Sequence, residues 1–288
     1  MDGASSSASS ATGTPIRQSR ENTMLYGANV HANGIRQHYL RFGGAGTPLL
    51  LVPGIVSPAA LWQPVGQRLG KHFDVYVLDV RGRGLTESGS HLDYSVDACA
   101  DDAIALAREL GLDQYILLGH SMGARIGARA ARRAGPALQH LIMVDPPVSG
   151  PGRRPYPSSL PPLLALLDAA RRGQADAALH RPGMPVWPEE LVRLRAEWLH
   201  TCDERAVIDS HRGFHEEDFH ADLARLTVKA GLITAGKGGV ILPEDLAEIR
   251  QLVPAMSILT VEGAGHQIAI DDPEGFYRAV GELLDMEL

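Results

Sequence analysis

The 288-residue chain has few cysteines, no long apolar run and no excess of positive charge, and each shortage removes a class of protein. Two cysteines, Cys99 and Cys202, cannot build a disulfide framework, and neither stands in a C-x-x-C or other metal-ligand spacing. An intracellular, cytoplasmic protein is expected. No unbroken apolar run reaches the roughly 18 residues that a bilayer span requires, so no membrane partner is expected. With 27 Lys+Arg against 34 Asp+Glu the formal net charge is −7, and no basic stripe points to nucleic acid. The opening residues, MDGASSSASSATGTPIRQSREN, carry no positive n-region followed by an apolar stretch, so a secretory signal is not expected there. Residues 1–23 read instead as a Ser/Ala/Thr tail with too little apolar surface to order itself.

What is present is an alternation. Leu25 to His31, the turn Asn33-Gly34 and Ile35 to Phe42 read as a β-hairpin. Apolar runs then recur at Pro48–Val52, Phe73–Val80, Tyr115–Leu118 and Leu141–Val144, separated by amphipathic helical stretches near 59–71, 96–110 and 124–133. Near-continuous apolar strands between helices indicate a mostly parallel sheet covered on both faces, the α/β class. The rhythm breaks at Pro146 to Pro162, which holds seven of the 19 prolines and excludes a regular helix or central strand. Helical pieces without a convincing strand follow to about Leu223, after which strand and helix alternate again: Val228–Thr234, Pro243–Leu252, Met256–Val261 and Pro273–Leu284. The expected architecture is therefore a core of 24–149 and 225–288 carrying an eight-stranded sheet, with a helical cap of 150–224 inserted after the sixth strand. Such a cap would lie over the C-terminal strand ends, where ligands bind in open α/β sheets.

Gly119-His120-Ser121-Met122-Gly123 is a G-x-S-x-G pentapeptide, a weak pattern alone in so Gly-rich a chain. Its setting makes it strong: a buried strand, Tyr115 to Leu118, runs into it and an Ala/Arg-rich helical stretch leaves it, the strand–turn–helix context of a nucleophile elbow. Ser121 is the expected nucleophile. A serine hydroxyl needs a base, and His266, in the small-residue turn Gly263-Ala264-Gly265-His266 after the last strand, is the expected one. The imidazole needs an acid to hold its tautomer. The loop after the strand that follows the cap is the commonest place for it, but Ala235-Gly236-Lys237-Gly238-Gly239-Val240 contains no carboxylate. One strand earlier, Leu141 to Val144 ends directly in Asp145, which is assigned as the acid, with Asp245 and Glu244 as the alternatives. The oxyanion hole is expected from the backbone amides of Met122 and, in the turn Pro53-Gly54-Ile55-Val56, of Ile55, since a proline cannot donate.

This constellation resembles the α/β-hydrolase superfamily from Met24 onward. The segments LLLVPGIVSPAALW, YVLDVRGRGLTESG, LLGHSMGAR, VDPPVSGPGRRPYPS, RAEWLHTC and AGKGGVILPED are together similar to the N-formylmaleamate deformylases, amidohydrolases of aerobic nicotinate breakdown. The short interval from Ser121 to Asp145 and the early acid fit that pattern. The resemblance implies Ser121 as nucleophile, Asp145 as acid and His266 as base. It also implies a small anionic amide as substrate, cleaved to maleamate and formate with neither metal nor cofactor. The substrate carboxylate would need a positive or donor-rich partner, for which Arg153, Arg154 and Tyr156 at the cap entrance are the candidates.

Three other readings compete. A carboxylesterase or lactonase would share the triad and differ in the cap. A metallohydrolase could use His211 and His215, at i, i+4, with His220. A noncatalytic receptor on this fold would account for the missing late acid.

Overall fold

The computed structural model describes residues 24–180 and 186–288; the tail 1–23 lies outside the described residues. Eight strands make one sheet: β1 (Met24–Ala32), β2 (Ile35–Phe42), β3 (Pro48–Val52), β4 (Asp74–Leu78), β5 (Tyr115–His120), β6 (Leu138–Val144), β7 (Lys229–Ala235) and β8 (Ser257–Val261). Their spatial order is β1-β2-β4-β3-β5-β6-β7-β8, antiparallel for β1 with β2 and β2 with β4, and parallel elsewhere. Asn33 (φ 51°) and Gly34 (φ 76°) make the β1–β2 turn, in the left-handed conformations that a tight hairpin needs.

The strands are apolar without alternation because both faces are covered. Leu50, Val52, Leu117, Leu141 and Met143 pack to one side, while Leu49, Leu51, Leu118, Ile142 and Val144 pack to the other. On the first side lie α2 (Val96–Glu109), α3 (Met122–Ala131) and α9 (Pro243–Leu252); on the second lie α1 (Gln63–Leu69) and α11 (Pro273–Leu284). A short helix, α10 (Ile268–Asp271), which the sequence pattern does not announce, follows the turn holding His266.

Between β6 and β7 the chain leaves the sheet as α4 (Leu160–Arg171), α5 (Ala175–Leu179), α6 (Glu189–Trp198), α7 (Glu204–Glu216) and α8 (Phe219–Leu223). The proline-rich stretch is irregular only as far as Ser159. Pro161 and Pro162 stand in the first turn of α4, where a missing N–H costs no intrahelical bond, so the expected exclusion of helix reached slightly too far along the chain. Helix α6 packs against the turn Ala59–Trp62 above the sheet edge. Among the described residues no helix is long and apolar enough to cross a membrane.

Candidate active site

Three side chains meet above the C-terminal ends of β5, β6 and β8. Ser121 follows β5 directly and caps α3 with φ 54° and ψ −117°, a strained conformation held by its surroundings. The flanking glycines are sterically required: a Cβ on Gly123 would lie 1.9 Å from the Val52 carbonyl oxygen, and one on Gly119 would lie 2.2 Å from that of Gly123. Asp145 follows β6, also at positive φ (44°), and its amide donates to the Ile233 carbonyl on β7 at 2.8 Å. His266 arrives from the turn after β8. Its Nδ1 lies 2.6 Å from Asp145 Oδ2 and its Nε2 lies 3.1 Å from Ser121 Oγ. A carboxylate accepts only, so Nδ1 carries the proton and Nε2 offers its lone pair to the serine hydroxyl.

The loop without an acid makes room for this one. Gly239 approaches Asp145 so closely that an added Cβ would sit 2.9 Å from Oδ1, and the Val240 amide donates to Oδ2 at 3.2 Å. The sequence alternatives go elsewhere. Asp245 accepts from the Leu242 amide at 2.7 Å, at the start of α9, and pairs with Arg154, while Glu244 is exposed. His120 backs the site: its Nε2 donates to the His266 carbonyl at 2.9 Å and its ring packs 5.4 Å from that of Trp62. Burial lowers the His120 pKa to about 4, so it is neutral at ordinary pH.

Met122 is the first residue of α3, where helix geometry leaves the leading amides without intrahelical acceptors. Ile55 lines the cavity above Ser121. Fully buried Arg83 links the two: Nε donates to the Ile55 carbonyl at 3.1 Å, and Nη2 lies 3.8 Å from Met122 Sδ and 2.9 Å from both the Ala206 carbonyl and Ser210 Oγ on α7. Over the serine is a cavity of about 170 Å³, with Ile55, Trp62 and His266 in its floor and Tyr156, Trp187 and Arg195 among its upper walls. A space of that size takes one small guest, on the order of a single ring.

A serine, a histidine and an aspartate in one hydrogen-bonded line, with the serine at the start of α3, form an arrangement suited to acyl transfer. A model of the alpha/beta hydrolase family matches residues 49–279. The chain belongs to that family. Within it, the hydrolase is 54% identical to an N-formylmaleamate deformylase of Pseudomonas putida, over 92% of this chain and 99% of that protein. A crystal structure of the N-formylmaleamic acid deformylase of a Pseudomonas putida strain superposes with a TM-score of 0.84 at 52% identity, covering 89% of this chain and all of that one. A 2-(acetamidomethylene)succinate hydrolase of Mesorhizobium japonicum is 26% identical over 85% of this chain and 91% of its own length.

Of the residues expected to hold the substrate carboxylate, Tyr156 lines the cavity of the hydrolase, its hydroxyl beside those of Ser121 and Ser158, and burial raises its pKa. The other two require correction. Arg153 pairs with Glu248 and Arg154 with Asp245, both acids on α9, and neither arginine lines the cavity. Their charge is used to pin the start of the insertion to the core. The histidines of the metal reading do not form a cluster of metal ligands. His211 Nε2 donates to the Ser158 carbonyl at 2.9 Å, and His215 is used at both nitrogens, donating to the His211 carbonyl and accepting from the Tyr156 amide. Among the described residues the one group with metal-ligand spacing is Asp176, His180 and Glu189, all exposed. Sequence reasoning missed Arg195 and Trp187. The available signal was positional: on α6, Arg195 falls on the stripe Leu191, Val192, Leu199, where an apolar residue belongs.

Proposed function

We propose that this hydrolase is an N-formylmaleamate deformylase, a cytoplasmic serine amidohydrolase that converts N-formylmaleamate and water to maleamate and formate in aerobic nicotinate catabolism. The observation that carries the reading is the hydrogen-bonded line Asp145–His266–Ser121 opening into a cavity fit for one small molecule. The 54% identity to the Pseudomonas putida deformylase supports the substrate. Cys99 and Cys202, both buried as free thiols, suit a reducing compartment. In this reading residues 24–149 and 225–288 form the catalytic core and 150–224 its cap.

Ser121 Oγ attacks the formyl carbon as its proton passes to His266 Nε2. Asp145 stabilises the imidazolium, and the oxyanion is received by the amides of Met122 and Ile55. His266 returns the proton to the departing amide nitrogen, the C–N bond breaks and maleamate leaves. That nitrogen is a good leaving group because a second carbonyl conjugates with it. Water, deprotonated by His266, then attacks the formyl-serine ester and releases formate.

The test is formate release from N-formylmaleamate beside a panel of p-nitrophenyl esters and lactones, with and without a serine-directed fluorophosphonate. Deformylation far above the panel, lost on covalent labelling of Ser121, is expected. Faster turnover of the esters or lactones would replace this reading with the esterase or lactonase one, and an unreactive Ser121 would favour a receptor.

A further inference from the structure

The polar atoms left over around the cavity differ in kind between floor and roof. Below, the unpartnered buried side-chain atoms among the described residues are lone pairs, His120 Nδ1 in the wall and Asp145 Oδ1 behind it. Above, they are donors: Arg195 Nε and Trp187 Nε1, both shut off from solvent and both on cavity-lining residues. The Arg195 guanidinium lies 4.8 Å from the centre of the Trp187 ring. It makes no ion pair among the described residues, whereas the neighbouring arginines of the insertion do: Arg171 with Glu204, Arg172 with Asp168, Arg193 with Glu189, Arg205 and Arg212 with Asp209. Burial lowers the Arg195 pKa only to about 10, and the nearest group to offset it is the Cys202 thiol, so it is a cation at neutral pH with its donors idle. Arg195 is half-buried, and the fully buried arginines are all engaged: Arg83 and Arg125 donate mainly to backbone carbonyls and Arg81 pairs with Asp102.

We infer that Arg195, with the Trp187 indole N–H beside it, is the seat of the substrate's carboxylate and makes the cavity selective for small acyl amides with an anion at the end remote from the formyl group. The inference rests on the amide-hydrolase reading above and adds an orientation to it. A guanidinium fork matches a carboxylate in two parallel hydrogen bonds, and the indole N–H adds a third donor. Among the described residues lining the cavity no other is an arginine or a lysine. With the anion held at the roof, the formyl carbon is left to Ser121.

Calorimetric titration of maleamate and of its neutral methyl ester reads the seat without requiring turnover. Wild-type protein should bind the anion at least tenfold more tightly than the ester. Arg195→Met should weaken maleamate by roughly 10²-fold and leave the ester nearly unmoved, with Arg195→Lys recovering part of the loss. KM for N-formylmaleamate should rise in the same order, while its kcat falls less. Equal binding of anion and ester to wild-type protein, or no maleamate binding up to about 20 mM, would overturn the inference without needing a variant. A folded Arg195→Met protein that binds maleamate within about threefold of wild type would overturn it too. If wild-type protein fails to deformylate but still prefers the anion through Arg195, the function falls and the seat stands.

Discussion

The floor and roof of the cavity obey opposite rules. Floor side chains follow parallel strands of one sheet, hold one another at 2.6 and 3.1 Å, and leave over only side-chain atoms that accept hydrogen bonds. The roof, in the inserted segment, keeps a half-buried cation and an indole N–H without partners among the described residues. A reaction centre must be complete before substrate arrives, because reorganising it during the reaction raises the barrier. A recognition surface must be incomplete, since a donor already satisfied has nothing to offer a ligand. Trp62 and Trp187 show the same contrast: the floor indole donates to Ser57 Oγ at 2.9 Å, and the roof indole donates to nothing among the described residues.

Four further changes would break or sharpen that contrast. Removing the nucleophile, Ser121→Ala, should lower kcat by roughly 10⁶-fold while maleamate affinity stays near wild type. A large loss of affinity in calorimetry would show that floor and roof are not separable. Asp145→Asn should cost about 10⁴-fold in kcat in a protein with an unchanged melting profile, because the amide favours the wrong imidazole tautomer. Near-normal turnover would remove Asp145 from the mechanism. Gly239→Ala sets a methyl against Asp145, and a displacement of the acid by a fraction of an ångström should lower kcat by about 10²-fold with KM little changed. The roof should respond in stability: without ligand, Arg195→Met should melt no lower than wild type and up to a few degrees higher, because it removes a half-buried charge with no counter-ion among the described residues. A lower melting temperature would mean that the cation is already compensated in the free enzyme.

A smaller effect concerns acid. Burial lowers the pKa of His120 and of His140 from 6.5 to about 4. The unfolded chain therefore binds protons that the folded one refuses, so stability is complete above about pH 6.5 and is lost as pH falls toward 4. Each group contributes a slope of up to about 1.4 kcal/mol per pH unit. Denaturant titrations between pH 7 and 4.5 should show this slope, and His140→Phe should remove about half of it. An unchanged slope in the variant would assign the acid sensitivity elsewhere.

The floor was readable in the sequence and the roof was not, for a physical reason. Ser121, Asp145 and His266 each stand directly after an apolar strand or in the small-residue turn that follows one, so local pattern places each at the same sheet edge. The proposed acid was legible too, because the loop Ala235–Val240 lacks a carboxylate and β6 is followed by one, Asp145, which lies 2.6 Å from His266 Nδ1. In the insertion, function depends on which helix faces reach the cavity, and that is set by packing between distant segments. The adjacent Arg153 and Arg154 stand out in the sequence, yet their partners Glu248 and Asp245 lie on a helix across the insertion. Arg195 looks like one more charge on a helix until α6 is docked on the turn before α1 and no acid among the described residues is found within reach.

The position of Asp145 has a consequence for how the roof can be exchanged. Ser121 and Asp145 follow two strands hydrogen-bonded in register, Gly119 opposite Met143 and His120 opposite Val144, and both precede the first inserted helix. Had the acid followed β7, every change in the inserted segment would have lain between the two groups and risked moving one against the other. Here the segment from the end of β6 to the start of β7 lies, along the chain, after both of them and before His266, so a change within it leaves the Ser121–Asp145 pairing on its own two strands.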